Sequence, residues 1–134
     1  MRILVIDEEA FVREALRRVL SGSSTVIIAS NAATGLKLLR ESPTDLVIID
    51  VVLAAGDGLA AIREIRREYP HIHVIAIAGS GDAGVSSYRP EAISTHAYLA
   101  ASAVAGAHGT LAKPFETSEL RELIERTCTT QTSS

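Results

Sequence analysis

The chain is poor in aromatic residues and has a single cysteine, and both shortages narrow the range of folds. Aromatic residues make up 4% of the 134 residues and tryptophan is absent, while hydrophobic residues make up 47%. We therefore expect an aliphatic core of Ile, Leu, Val and Ala, at a length typical of one domain. Cys128 has no second cysteine to pair with, which excludes an internal disulfide and the small disulfide-rich secreted folds.

Long apolar runs and an excess of positive charge are also missing. No apolar stretch approaches the roughly 20 residues that cross a bilayer, and the stretch after Arg2 ends at Asp7, too soon for a signal peptide. The formal net charge of −3 argues against general nucleic-acid binding. We therefore expect a cytoplasmic protein with neither a membrane nor a nucleic acid as its partner.

The sequence contains instead a regular alternation of short apolar runs with amphipathic stretches. The apolar runs are continuous, so both faces of the resulting sheet should be covered. This pattern predicts an α/β fold, a doubly wound five-stranded parallel sheet with helices on both faces. A helix should follow each strand, with Asn31 as a candidate N-cap of the second helix. The predicted strands are 2–6, 25–29, 45–49, 73–78 and 109–112.

Charged residues stand at the ends of three of these runs. Asp7 and Glu8 follow the first run, Asp50 follows the third and Lys113 follows the fifth. The carboxyl ends of parallel strands meet at one edge of the sheet, where α/β proteins bind ligands. Each acid alone is typical of a helix N-cap and Lys113 alone of a solvated surface, so it is their joint placement that favours a site.

The chemistry of such a group points to a cation and an anion. Two carboxylates about 4 Å apart repel by roughly 4 kcal/mol at an effective dielectric near 20. Mg²⁺ with a phosphoryl group would suit these acids and the lysine, because magnesium prefers oxygen ligands and phosphoryl oxygens need positive charge. Without the ion, at least one of the carboxyl groups should have a raised pKa.

Three segments carry a resemblance to a known family. RILVIDEE, DLVIIDVVLAAGDGLAAIREIR and GTLAKPF resemble the response-regulator receiver domain of two-component signalling, which has a flavodoxin-like fold. The resemblance implies that Asp50 is the phosphoacceptor and that Lys113 contacts the phosphate. It also implies that Asp7, Glu8, Asp50 and the backbone carbonyl of Val52 bind Mg²⁺.

The resemblance also implies a function and partners. We expect a single-domain response regulator, with a receiver domain at 1–127 and a flexible polar tail at 128–134. Its phosphoryl donor would be a histidine kinase or a phosphotransfer protein, and its output would pass through contact with an unknown downstream protein. We expect no enzymatic activity other than self-catalysed phosphoryl transfer and slow autodephosphorylation.

The chain departs from the family pattern around the fourth and fifth strands. The family's hydroxyl at the end of strand 4 is replaced by Ala78, and its switching aromatic residue on strand 5 by Thr110. Ser80 is a candidate phosphate contact, with an ordinary surface loop serine as the alternative. The loop at 79–90 makes this part of the chain longer than the family spacing by roughly a dozen residues, which costs little entropy. In the family, the strand 4 hydroxyl and the strand 5 aromatic residue together respond to phosphorylation. We hypothesise that this loop replaces that pair as the phosphate-sensitive element.

Two other functions stay open. A degenerate receiver that acts as a phosphorylation-independent interaction module is favoured by Ala78 and Thr110. A nucleotide-binding enzyme is favoured by the glycine run at 79–84, which matches GxGxxG after a strand. Pro90 interrupts the helix that such a site needs, and no acidic residue follows at the required distance.

Overall fold

The computed structural model describes residues 1–52, 58–79 and 90–132, with the side chains of 90–94 and 130–132 left aside. Within these ranges the chain alternates five strands with five helices. The strands are β1 (Arg2–Ile6), β2 (Thr25–Ala29), β3 (Leu46–Asp50), β4 (His73–Ala78) and β5 (Gly109–Ala112). The helices are α1 (Ala10–Leu20), α2 (Ala32–Glu41), α3 (Gly58–Glu68), α4 (Pro90–Ala105) and α5 (Thr117–Thr132).

All strand pairs are parallel, and the sheet has the order β2-β1-β3-β4-β5. The chain therefore starts in the middle of the sheet, builds one edge and crosses back to build the other. This confirms the predicted doubly wound parallel sheet. The reversal of strand order lies between β1 and β3, so their carboxyl ends flank the place where such sheets bind ligands.

The continuous apolar strands bury alternate residues in two separate cores. Ile3, Ile48 and Ile77 belong to the core shared with α1 and α5. Their neighbours Leu4 and Ile49 belong to the core shared with α2, α3 and α4. A strand buried on both faces has no solvent side, which is why its sequence shows no alternation with polar residues.

Local signals explain some helix boundaries but not all. Asn31 caps α2, as predicted, because its side-chain oxygen accepts the N–H of Thr34 at 2.8 Å. At the other end of the chain, α5 continues to Thr132. The helix therefore includes most of the segment 128–134, which the sequence analysis assigned to a flexible tail. Among the residues that the structure describes, no helix combines the length and apolarity required to span a bilayer.

Candidate functional site

Three strand ends bring ionisable side chains to the carboxyl edge of the sheet. Asp7 follows β1 directly, and its N–H donates to the carbonyl of Ala29 in β2 at 3.1 Å. Asp50 is the last residue of β3. Lys113 follows β5, and its N–H donates to the carbonyl of Ala78 at 2.7 Å. Backbone hydrogen bonds thus extend β1 and β5 by one residue and hold the Cα atoms of Asp7 and Lys113 at this edge.

The Lys113 ammonium lies among three carboxylates. Its Nζ is 3.1 Å from Asp7 Oδ2, 3.0 Å from Glu9 Oε1 and 3.2 Å from Asp50 Oδ2. The side chains of Lys113, Asp7 and Asp50 are almost fully buried, and that of Glu9 is 32% exposed. With every group ionised, three negative charges face one positive charge, and the cluster keeps a net charge of about −2.

The two glutamates that follow Asp7 are placed differently. Glu8 is exposed, and its carboxylate does not belong to the group of close acidic oxygens that Asp7, Glu9 and Asp50 form. The backbone explains this, because Glu9 is extended (φ −88°, ψ 116°) and donates its N–H to Asp7 Oδ1 at 2.9 Å. This bond closes a short turn between the Asp7 side chain and the backbone two residues on, and the turn brings Glu9 to the side of Asp7.

Glu9 is therefore the site residue that the sequence analysis missed. The resemblance favoured the adjacent pair Asp7 and Glu8. The available signal was Asp7 itself, because an aspartate at the end of a strand can accept the N–H of the residue two positions on and turn the chain there.

Burial and charge shift two pKa values in this cluster. Burial raises the pKa of Asp7, and the nearby Asp50 carboxylate adds to the rise, while a backbone hydrogen bond and Lys113 oppose it. A raised carboxyl pKa was expected from repulsion, and the structure makes burial its larger cause. Burial also disfavours the charge of Lys113, but Asp50, Asp7 and Glu9 outweigh it and raise the pKa of the ammonium.

The remaining predicted residues lie around this cluster or outside the described residues. Val52 donates its N–H to Asp50 Oδ1 at 2.8 Å, which fixes the carboxylate on the side away from Lys113. The carbonyl of Val52 as a metal ligand stays a prediction. Ser80, the loop at 80–89 and the glycine run after Gly79 lie outside the described residues, so their roles stay predictions too.

The positions that depart from the family pattern lie on β4 and β5. Ala78, the last residue of β4, is fully buried and has no hydroxyl to offer. Thr110 is half-buried and pairs with Ala76 across β4 and β5. Gly79 has a φ of +129°, and a Cβ there would lie 2.9 Å from the carbonyl oxygen of Lys113. Only glycine lets the chain turn this close to the Lys113 backbone.

The donor set fits a hard divalent cation. Asp7, Glu9 and Asp50 each offer one carboxylate oxygen, and these oxygens lie within 4.8 Å of one another. Mg²⁺ binds through one or two carboxylates together with water and phosphate oxygens, and such a group of oxygens suits it. Lys113, which follows β5, forms a cis peptide bond with Pro114.

Known structures share this fold along nearly the whole chain. A response regulator receiver domain protein from Clostridium thermocellum is 26% identical, with a TM-score of 0.79, and the match covers 98% of this chain and 96% of that one. The signal receiver domain of an HD domain-containing protein from Pseudomonas fluorescens Pf-5 is 25% identical, with a TM-score of 0.80, covering 98% and 89%. A CheY-like receiver domain protein from Methanospirillum hungatei JF-1, 22% identical, has the same fold, with a TM-score of 0.81 and coverage of 98% and 96%.

Sequence comparison gives the family directly. None of the curated proteins matches the chain. The family model of the response regulator receiver domain matches residues 3–125, which include all of the sheet except the first residue of β1, together with the cluster around Lys113. The chain therefore belongs to the family of response regulator receiver domains.

Proposed function

We propose that this chain accepts a phosphoryl group on Asp50 from the phosphohistidine of a histidine kinase or a phosphotransfer protein. The observation that carries the proposal is the meeting of Lys113 Nζ with Asp7, Glu9 and Asp50 at the carboxyl edge of the sheet. Family membership supports this reaction class. The acceptor, the positive charge and the acids that would hold a cation lie within one cluster, as phosphoryl transfer requires.

Asp50 supplies the nucleophilic oxygen. Val52 N–H and Lys113 Nζ each bind a different oxygen of its carboxylate, at 2.8 and 3.2 Å, so the group is held in one orientation. In the transfer, an Asp50 oxygen forms a bond to phosphorus while the phosphorus–nitrogen bond of the donor breaks. The electron pair of the broken bond stays on the imidazole nitrogen, and the ring leaves neutral because its other nitrogen carries a proton.

Lys113 supplies positive charge for the phosphoryl oxygens. Asp50 and Asp7 raise its pKa despite burial, so it stays an ammonium through the physiological pH range. A buried ammonium beside the acceptor acts in a medium of low dielectric, where charge stabilisation is larger than in water. Lys113 is thus the residue that would stabilise the acyl phosphate.

Mg²⁺ is the implied cofactor. Asp7 and Asp50 would hold it together with the Val52 carbonyl and one of the two glutamates, Glu8 by resemblance or Glu9 by proximity. When bound, the ion supplies the charge that neutralises the acids and the phosphoryl oxygens. The phosphorylated domain would then signal by contact with a downstream protein, with no chemistry beyond formation and hydrolysis of its own acyl phosphate.

A second function keeps the fold without the phosphate. A phosphorylation-independent interaction module is favoured by one observation: the buried Ala78 leaves the end of β4 without the hydroxyl that would bind the phosphoryl group. The other features of the domain are compatible with both functions. The difference between them is whether Asp50 becomes modified.

Phosphorylation by a small donor distinguishes them. Acetyl phosphate with Mg²⁺ should add one phosphate to the wild type, read by intact mass, and Asp50→Asn should abolish the addition. Asp45→Asn is the matched control, because Asp45 is exposed just before the other end of β3 and accepts the N–H of Arg2. Equal labelling of the two variants, or none in the wild type, would exclude Asp50 as the acceptor.

A further inference from the structure

Glu9 differs from the other partners of Lys113 in its access to water. The Asp7 side chain is 0% exposed and that of Asp50 is 5% exposed, whereas that of Glu9 is 32% exposed. Breaking an ion pair costs least where the freed carboxylate is solvated again at once. Glu9 is therefore the partner that Lys113 gives up most easily.

The Lys113 ammonium has no hydrogen-bond donor to spare. An ammonium offers three N–H donors, and the three carboxylates at 3.1, 3.0 and 3.2 Å take all of them. A phosphoryl group on Asp50 would bring three new acceptor oxygens into the cluster. When Oδ1 of Asp50 takes the phosphoryl group and Oδ2 stays bonded to Lys113, the ammonium can bind one of these oxygens only by leaving Asp7 or Glu9.

The charge of the phosphoryl group also favours the loss of Glu9 rather than of Asp7. A phosphoryl group carries about −1.5 to −2 charge near neutral pH, against the single charge of the Asp50 carboxylate that it modifies. The added charge repels the carboxylates nearby, and Glu9 is the one that can turn toward solvent. Asp7 cannot do so, because it is enclosed and accepts the N–H of Glu9 at 2.9 Å.

We infer that Glu9 is a positioning residue that holds the Lys113 ammonium beside Asp50 before phosphorylation and gives up its place to a phosphoryl oxygen afterwards. The inference rests on the proposed function and adds a regulator to the same site. Glu9 would set how readily the site accepts phosphate, because its carboxylate competes with the phosphoryl group for Lys113. Neutralising Glu9 should therefore favour the phosphorylated state.

The chain offers matched variants for the test. Glu9→Gln removes the competing charge, and Glu14→Gln makes the same change in an exposed ion pair with Arg17 on α1. The protein has only two lysines, so the exposed Lys37 serves as an internal reference for amine modification of Lys113. In the unphosphorylated protein, Glu9→Gln should raise the rate of Lys113 modification relative to Lys37, and Glu14→Gln should not.

The decisive measurement is the binding of beryllium fluoride, a phosphoryl mimic, at saturating Mg²⁺. Glu9→Gln should bind it about fivefold more tightly than the wild type, the effect of removing one partly exposed ion pair, and Glu14→Gln should bind it as the wild type does. Equal affinities of the two variants, unchanged Lys113 reactivity, or weaker binding by Glu9→Gln would overturn the inference while the proposed function stands. Failure of the wild type to bind the mimic would overturn both.

Discussion

At the carboxyl edge of the sheet, four ionisable side chains carry their charges in contact, whereas at the amino edge two histidines meet as rings. His73, which opens β4, and His108, which precedes β5, pack edge to face with ring centroids 5.2 Å apart. The Val74 N–H donates to His108 Nδ1 at 3.0 Å, and this bond requires a ring nitrogen without a proton. One strand, β5, thus follows the neutral acceptor His108 and leads into the charged cluster at Lys113.

The difference shows how one small sheet tolerates buried polar groups in two ways. The carboxyl edge keeps its charges by balancing them, and the balance is incomplete because three acids face one lysine. At the amino edge the His108 ring avoids charge, since burial, Arg66 and His73 all lower its pKa. A cluster with unbalanced charge can respond to an added cation or phosphate, and a neutral ring bonded to the backbone can only support the strands.

Among the substitutions that test this difference between the two edges, removal of the Lys113 ammonium should change stability most. Lys113→Ala leaves two almost fully buried carboxylates without their counter-charge, and the free energy of unfolding should fall by about 3–5 kcal/mol in the presence of a chelator. Mg²⁺ should restore part of the loss, because an ion that binds only the folded state stabilises it. Urea unfolding with and without Mg²⁺ measures both effects.

Lys37→Ala is the control for this substitution. Lys37 is exposed on α2, and its removal should change stability by no more than about 0.5 kcal/mol in either condition. Similar losses in the two variants, or no response of Lys113→Ala to Mg²⁺, would contradict the view that charge balance stabilises this edge.

A smaller effect should follow from altering the backbone beside the cluster without touching its charges. Gly79→Ala places a Cβ where φ is +129° and the Lys113 carbonyl oxygen lies 2.9 Å away. We expect a loss of about 1–3 kcal/mol in urea unfolding, independent of Mg²⁺. Gly22→Ala is the control, because a Cβ there meets nothing within 4 Å. A loss at Gly79 that Mg²⁺ reverses would instead tie this turn to the charged cluster.

The smallest effect concerns the amino edge and depends on pH. Because the folded state lowers the pKa of His108, the unfolded state binds the proton more readily. The contribution is complete above the unfolded value near 6.5 and is lost as the pH falls through the folded value. Between about pH 7.5 and 5.5, the wild type should lose stability slightly faster than His108→Gln, whose side chain does not titrate.

His71→Gln provides the reference slope for this measurement. His71 is exposed in the turn before β4, and its replacement should leave the pH dependence of urea unfolding as in the wild type. If the free energy of unfolding changed with pH at the same rate in all three proteins, the folded state would not favour the neutral form of the His108 ring.

Most of the strands could be predicted from short-range patterns of apolar and polar residues. The predicted strands 2–6, 25–29, 73–78 and 109–112 coincide with β1, β2, β4 and β5, because continuous apolar runs bounded by polar turns leave few alternatives. The predicted third strand is displaced by one residue, since β3 begins at Leu46 and includes Asp50. The ends of the helices were harder to predict. The last helix, α5, continues into a polar segment whose sequence has no apolar face that would indicate a helix.

The site was predicted in outline and missed in one detail. The meeting of Asp7, Asp50 and Lys113 follows from strand order, since parallel strands put their carboxyl ends together. Glu9 depended on the backbone turn after β1, where the bond from its N–H to Asp7 Oδ1 directs its side chain inward and leaves Glu8 in solvent. Resemblance to the family drew attention to the adjacent pair and away from the residue two positions on.

The sequence by itself determined the layered α/β fold and the edge at which the acids and the lysine collect, because apolar periodicity and strand direction are properties of local segments. Only the tertiary structure decided that Lys113 divides its three donors among Asp7, Glu9 and Asp50. Those distances join residues 63 to 106 positions apart, and they depend on the packing of β1, β3 and β5 in one sheet. The depth of burial that shifts the pKa values of Asp7 and Lys113 likewise arises only when the strands and helices enclose the cluster.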